Sequence, residues 1–576
     1  MFVHSKRHNL PKYFFCAVAA LVFTSQNIFA DNIPVGQSSG AEAQRFKDQT
    51  ERLRKMLEAG VKPPYVYVPP KEEKPAGPNV PFILKEVTVT GSTIFKSQEL
   101  ALVYQPYLNK EVAIKDLNDI AKKIEEMYAK KGCLTTNAFI PPQDIKDGKT
   151  EIKVVEGKVG QLKIEGNKYF STELIQKYFH SKPNEILNIN TLQRDILRLN
   201  MGSDLEVKTL LAAGKSPETS DITLKVKDRF PWHVGVSEDN QGTRLTGKLR
   251  TSYTARCSNL TGRGDTFFES TLFTNNSSGE STSYSIPLDT YGTKFYFDTT
   301  YFRMKLGKEF ASNNIKGQTQ IYSPHVSWEL ALTENYQATA NLGLDIKSVT
   351  QRQNGQRSSD DQLRLPWFGF DFAKQGANAQ TNFSPKFIFG TSQFLGASAE
   401  GHPSASRAGT GGSFVKYSQA LTRVQKMPWN SYITARTQFQ AASHTLPSSE
   451  EIQIGGVYSV RGYPEGDYLA DTGGYMNLDW ILPNYLIPEN WKLKGQETPL
   501  RYQIEPDIFI DCGGGKLKKI LNGEREEQFL SGAGAGLQFN FKCFTLKTGW
   551  AKAIGGDRPV HGSGASTFYF TFNSEM

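Results

Sequence analysis

One cation stands among apolar and aromatic residues in the loop Gly455-Gly456-Val457-Tyr458-Ser459-Val460-Arg461-Gly462-Tyr463-Pro464-Glu465-Gly466. Four glycines and a proline in twelve residues mark a segment built on tight backbone turns. Solubility does not require Val460, Arg461, Gly462 and Tyr463 in that order. The chemistry open to Arg461 is an ion pair, or else plain surface charge. A candidate partner lies in the run Arg501 to Cys512. There Tyr502, Ile504, Pro506, Ile508 and Ile510 alternate with Arg501, Gln503, Glu505, Asp507, Phe509 and Asp511. Asp511 falls on the polar face, within Phe509-Ile510-Asp511-Cys512-Gly513. Bond-making chemistry has no candidates. The chain has no H-E-x-x-H or G-x-x-x-x-G-K-[ST] pattern, and its eight histidines are scattered. The expectation is a protein that is not an enzyme, with no catalytic residue, metal or cofactor.

The elements that must position this pair begin near Phe230. From there strand-like runs with period two alternate with polar, glycine-rich turns. In Lys294 to Tyr301, Phe295, Phe297 and Tyr301 oppose Lys294, Asp298 and Thr300. Gly532 to Phe541 and Thr567 to Phe572 alternate in the same way. A soluble sandwich also alternates, but 348 residues that do so with polar, glycine-bearing second faces fit a transmembrane β-barrel. The length suits about sixteen strands of about ten residues. An acid on the polar face then looks into the lumen, where a loop folded inward brings Arg461 to it.

The N-terminal half is different. Residues 41–59 read as a helix with a thin apolar stripe of Phe46, Leu53, Met56 and Leu57 among many charges, Arg52 included. It is either a solvated arm or a helix housed in a wet, charged cavity. A proline-rich linker follows over 61–80. Then comes a repeat. The stretch from Glu86 through Gly91 to Phe95 recurs as Gln161 through Gly166 to Phe170, and each copy runs on into helical and then strand patterns. The reading is two β-α-α-β-β modules, 81–157 and 158–228, ahead of a barrel over 229–576.

Residues 1–30 have a basic start, a short apolar core and Ala30 at a small-residue cleavage position, as a secretory signal does. Removing Lys6, Arg7 and Lys12 with it lowers the formal charge from +9 to +6, which makes no case for nucleic acid. Residues 31–60 then form the N-terminal segment that carries the helix. Cys133, Cys257, Cys512 and Cys543 read as ordinary or unpaired thiols.

Val460-Arg461-Gly462-Tyr463 resembles the sixth-loop motif of the outer-membrane translocator and insertase superfamily. Phe509-x-Asp511-x-Gly513 resembles its partner motif on the thirteenth strand. Two modules, a leading helix and a linker resemble its two-partner secretion branch, the TpsB transporters of the haemolysin secretion/activation type. That resemblance implies a barrel in the outer membrane of a Gram-negative bacterium, with its lipid as surroundings and the modules, named POTRA, in the periplasm. It implies an inward sixth loop over 442–472 and a helix plugging the lumen through Phe46, Arg52, Leu53 and Leu57. It implies an unfolded, TpsA-like secreted exoprotein as partner, recognised by the modules and passed through the pore, and insertion by the barrel-assembly machinery. The family's last strand usually ends on an aromatic; here Phe572 is followed by Asn573, Ser574, Glu575 and Met576. The alternatives are an insertase of the same superfamily, which the two modules and the helix disfavour, and a passive porin, which has no use for them.

Overall fold

The computed structural model describes residues 38–58, 65–67, 80–202, 204–521, 524–542, 544–557, 559 and 566–575. The signal segment, most of the 61–80 linker, Ala59, Cys543 and Met576 lie outside them. Sixteen antiparallel strands form a closed barrel, from Trp232–Asp239 to Ser566–Glu575. Closure leaves no open sheet edge facing lipid, so the backbone groups of the ladders are bonded within the wall.

Alternation sets what faces where. On strand 13, Ile504–Lys516, Asp507, Phe509 and Asp511 are buried inside while Ile508 and Ile510 are exposed outside. On strand 16, Tyr569 is 2% exposed and its neighbour Phe568 is 59% exposed. The run expected as Arg501 to Cys512 is shifted. Arg501 and Tyr502 belong to a 3-10 turn, Leu500–Tyr502, entered from Pro499 and closed by Gln503 N–H donating to Leu500 O at 3.0 Å. At the other end the strand continues through Gly513–Gly515, which pair with Gly473–Tyr475 and Gln528–Leu530. Neighbouring strands hold glycines that intrinsic propensity would not. Asn573, Ser574 and Glu575 are ladder residues too, paired with Ser237, Val236 and Gly235 where the barrel closes.

Both small modules have the order β-α-α-β-β, with the final strand central in the sheet. Their shared glycine has a physical reason. Gly91 (φ +81°) and Gly166 (φ +94°) end the first strands, and a Cβ there would lie 2.1 Å from Val154 O and 2.4 Å from Val226 O. An acid two residues beyond each valine holds the turn. Glu156 accepts from Thr93 N–H (2.8 Å), Ile94 N–H (3.1 Å) and Tyr128 O–H (2.7 Å). Asp228 accepts from the N–H groups of Lys168, Tyr169 and Phe170 at 2.6–2.9 Å. Burial pushes both carboxyls up, but these hydrogen bonds outweigh it and hold them below their ordinary range.

The linker holds an element that its composition hid. Tyr65–Tyr67 runs parallel to Lys208–Leu210 and extends the second module's sheet at its outer strand, Leu205–Ala213. The second module docks on the barrel rim through charge. Arg198 grips Glu329 with two bonds of 2.7 and 3.1 Å, and Asp204 receives Arg256 at 3.2 Å. His180 Nε2 lies 2.8 Å from Thr290 Oγ1.

Candidate functional site

The segment between strand 11 (Tyr432–Ala442) and strand 12 (Thr472–Ile481) folds back into the barrel and carries Arg461 to the wall. Arg461 is 2% exposed. Its Nε and Nη2 donate to the two oxygens of Asp511 at 2.7 and 2.6 Å, and its backbone N–H adds a third bond of 3.0 Å. This is the two-pronged fit that a guanidinium makes and an ammonium cannot. The guanidinium also lies 3.5 Å from the centroid of the Phe509 ring. Val460 is fully buried beside Gly513, where a Cβ would come within 3.1 Å of its Cγ2. Gly462 (φ +97°) passes so close to the wall that a Cβ would sit 2.7 Å from Ala553 N. Tyr463 donates its hydroxyl to Gly555 O at 2.9 Å. The structure thus brings Val460, Arg461, Gly462, Tyr463, Phe509, Asp511 and Gly513 to one place.

Two members of the cluster were not singled out from sequence. Asp479 accepts from Arg461 Nη1 at 2.6 Å and from Arg436 at 2.6 Å. Asn477 donates to Asp511 Oδ1 at 2.9 Å and to Ser459 O. Both stand on the lumen face of strand 12, where Asn477 pairs with Asp511 and Asp479 with Phe509. Their spacing of two was the available signal.

The leading helix, Ser39–Glu58, lies in the lumen. Twenty residues at about 1.5 Å each span about 30 Å, the thickness of a bilayer core. Its N-terminus meets the sixth loop and its C-terminus points to the periplasm. Polar contacts hold it along its length. Ser38 bonds Ser448 (3.2 Å), Arg45 bonds Gln453 (2.8 Å) and Lys347 bonds Gln44 (2.6 Å). Lys47 reaches Ser323 (2.8 Å) and Asp345 (3.3 Å), and Arg250 reaches Gln49 (2.9 Å). Lower down, Arg52 bonds the Tyr475 hydroxyl (3.1 Å) and Lys55 pairs with Asp371 (3.5 Å). The apolar stripe is not what seats it. Phe46 packs on Phe302, centroids 6.1 Å apart, but Leu53 and Leu57 are half-buried and Met56 is 69% exposed. A lumen wall is polar, so burial there does not follow the stripe.

A second buried arginine ties the outer loops together. Arg407, on the segment between strand 9 (Ala379–Gly390) and strand 10 (Phe414–Lys426), bonds Glu451 (2.8 Å) and Asp471 (3.3 Å) of the sixth loop, and Glu524 (3.1 Å) beyond strand 13. It also donates to Leu446 O and Lys519 O. Among the described residues Cys133 and Cys257 are free, buried thiols.

A closed, helix-filled barrel carrying two periplasmic modules and an inward arginine loop defines a transporter-type outer-membrane protein. A family model described as haemolysin secretion/activation protein ShlB/FhaC/HecB matches residues 218–539. Models of the ShlB-type POTRA domain and of a surface antigen variable number repeat match 82–157 and 157–202. The chain belongs to the haemolysin secretion/activation family, whose members are outer-membrane transporters. It is 26% identical over 459 residues to the heme/hemopexin transporter protein HuxB of Haemophilus influenzae (strain 86-028NP), covering 77% of this chain and 78% of the relative. It is 22% identical over 492 residues to the outer membrane transporter CdiB of Dickeya dadantii (strain 3937), covering 83% and 86%. The solved structure of CdiB from Escherichia coli shares the fold, with TM-score 0.73 at 19% identity, over 95% of this chain and all of that one.

Proposed function

We propose that this chain exports an unfolded, TpsA-like exoprotein by two-partner secretion, with the lumen as the path and the helix as its resting plug. The observation that carries this reading is the seating of Ser39–Glu58. A helix fills the pore but is held mostly by ion pairs and hydrogen bonds to a wet wall. Such contacts exchange for water at small net cost, whereas an apolar core would not. A removable plug supports export over passive permeation. The modules supply recognition. Pairing of Tyr65–Tyr67 with Lys208–Leu210 supports the view that the second module's outer strand accepts extended segments, by the backbone bonding that strand addition uses. The partner would enter extended, pass the lumen and fold outside, without nucleotide and without enzymatic chemistry. The Arg461 cluster would hold the sixth loop against the wall and shape that lumen. Insertion is the task of the barrel-assembly machinery, acting on the last strand.

A photo-crosslinking residue at Leu210 tests recognition. It should capture an extended segment of the partner in cells blocked during export. Equal capture of the folded partner contradicts the reading.

A further inference from the structure

We propose that the turn between strands 12 and 13 is a lipid-binding lip, which seats in the periplasmic leaflet of the outer membrane and takes acidic phospholipid headgroups. The sixth loop is external, so strand 12 descends and its last residue, Ile481, meets the periplasmic side. The other turns on that side are short, as at 288–293, 333–335, 376–378 and 427–431; this one runs over 482–503. It is nonetheless ordered. Leu500 N–H donates to Trp491 O (2.8 Å), Arg501 Nε to Ile487 O (3.0 Å) and Asn430 Nδ2 to the Tyr502 hydroxyl (3.2 Å). Order usually comes with buried apolar side chains, yet here they point out. Leu486 is 94% exposed, Trp491 57% and the adjoining Trp429 72%, with Tyr485 and Leu493 also exposed.

Three observations select lipid as the occupant. The patch continues from the outer wall, since Trp480, on the lipid face of strand 12, bonds Ser431 Oγ at 3.1 Å and the Tyr485 hydroxyl donates to Trp429 O. Tryptophan and tyrosine at that level form the interfacial belt of membrane proteins. In Trp491-Lys492-Leu493-Lys494 apolar residues alternate with lysines that make no ion pair among the described residues, whereas Arg501 is already paired with Glu489. Exposed lysines beside interfacial tryptophan and leucine match anionic headgroups above acyl chains. Finally, the second module contacts the rim at Arg256, Thr290 and Glu329, on strands 2 to 6, away from strands 12 and 13 in the sixteen-strand ring. Among the described residues no hydrogen bond or ion pair joins the modules to the patch.

The test uses the full chain in vesicles of phosphatidylethanolamine, with or without phosphatidylglycerol, containing phospholipid brominated near the headgroup. Tryptophan emission is compared between the wild type and Trp491→Phe. The difference should be a component quenched at least about twofold more with phosphatidylglycerol present, since each lysine near an anionic surface gains appreciable attraction. Trp367→Phe, which removes a lumen-facing ring, should leave lipid quenching unchanged. Lys492→Gln with Lys494→Gln should remove the phosphatidylglycerol dependence while the barrel still inserts. Unquenched Trp491 emission, equal quenching in the two compositions, or shielding that appears only when the exported partner is added would overturn the proposal.

Discussion

Removing Arg461 should do more harm than removing Asp511, and the two losses should not add. Arg461→Ala strips Asp511, which is fully buried, of two side-chain bonds and leaves it the loop N–H and Asn477. It also takes one partner from Asp479, which keeps Arg436. Asp511→Ala leaves Arg461 still bonded to Asp479 and stacked on Phe509. Breaking a buried pair on one side costs about 3–5 kcal/mol. Arg461→Ala belongs at the upper end and Asp511→Ala at the lower. At about 1.4 kcal/mol per tenfold, the undocked loop becomes about a hundred- to several thousandfold more populated. The double variant should show a coupling of about 1–3 kcal/mol, as residues in one network do. Arg461→Lys should restore little, because an ammonium cannot span both carboxylate oxygens. The assay is protease sensitivity of residues 443–471 on intact cells, run beside secretion of the partner. A coupling below about 0.5 kcal/mol, or a fully active Arg461→Lys, would refute the reasoning.

Further outcomes follow from other contacts. Arg407→Gln leaves Glu451, Asp471 and Glu524 facing one another without their shared cation, so protease should cut the outer loops faster while barrel heat stability in gels is kept. Gly166→Ala forces a Cβ to within 2.4 Å of Val226 O at φ +94°, and should lower the urea stability of residues 80–228 by about 1–3 kcal/mol. The same fragment should lose stability in acid. The Glu156 and Asp228 carboxyls are depressed in the fold, so their contribution is complete above the ordinary carboxylate range and fades as pH falls through the lower, folded values. Urea midpoints at pH 7 and pH 3 measure this loss, and Glu156→Gln with Asp228→Asn should flatten it.

The barrel was readable because strands repeat every two residues and a membrane wall sorts alternate residues to opposite faces. Asp511 was readable for the same reason. Asp479 and Asn477 lie on a face just as regular, but their register against strand 13 depends on the long 482–503 turn, and a slip of one residue would send them outward. Arg407 sits in a loop with no period, so only the folded chain joins it to Glu451 and Glu524. The thin stripe of Phe46, Leu53, Met56 and Leu57 did not show how the helix is seated, because amphipathicity reads burial against an apolar neighbour, and this helix has a polar one. Tyr65-Val66-Tyr67 has strand propensity, but the flanking prolines read as a tether, and only the free edge of the second module decides the matter.

The most direct measurement is to bolt the helix into the pore. A Cβ built on Gly40 lies 3.1 Å from Val349 Cγ1 on strand 7 (Tyr336–Gln353). That is close to the spacing of about 3 Å between a Cβ and the far sulfur of a disulfide with its ~2.05 Å S–S bond. Cells carrying Gly40→Cys with Val349→Cys should stop secreting the partner when oxidised and resume when reduced, while each single variant secretes under both conditions. Undiminished secretion with the disulfide fully formed would mean that the partner does not travel through the space the helix occupies.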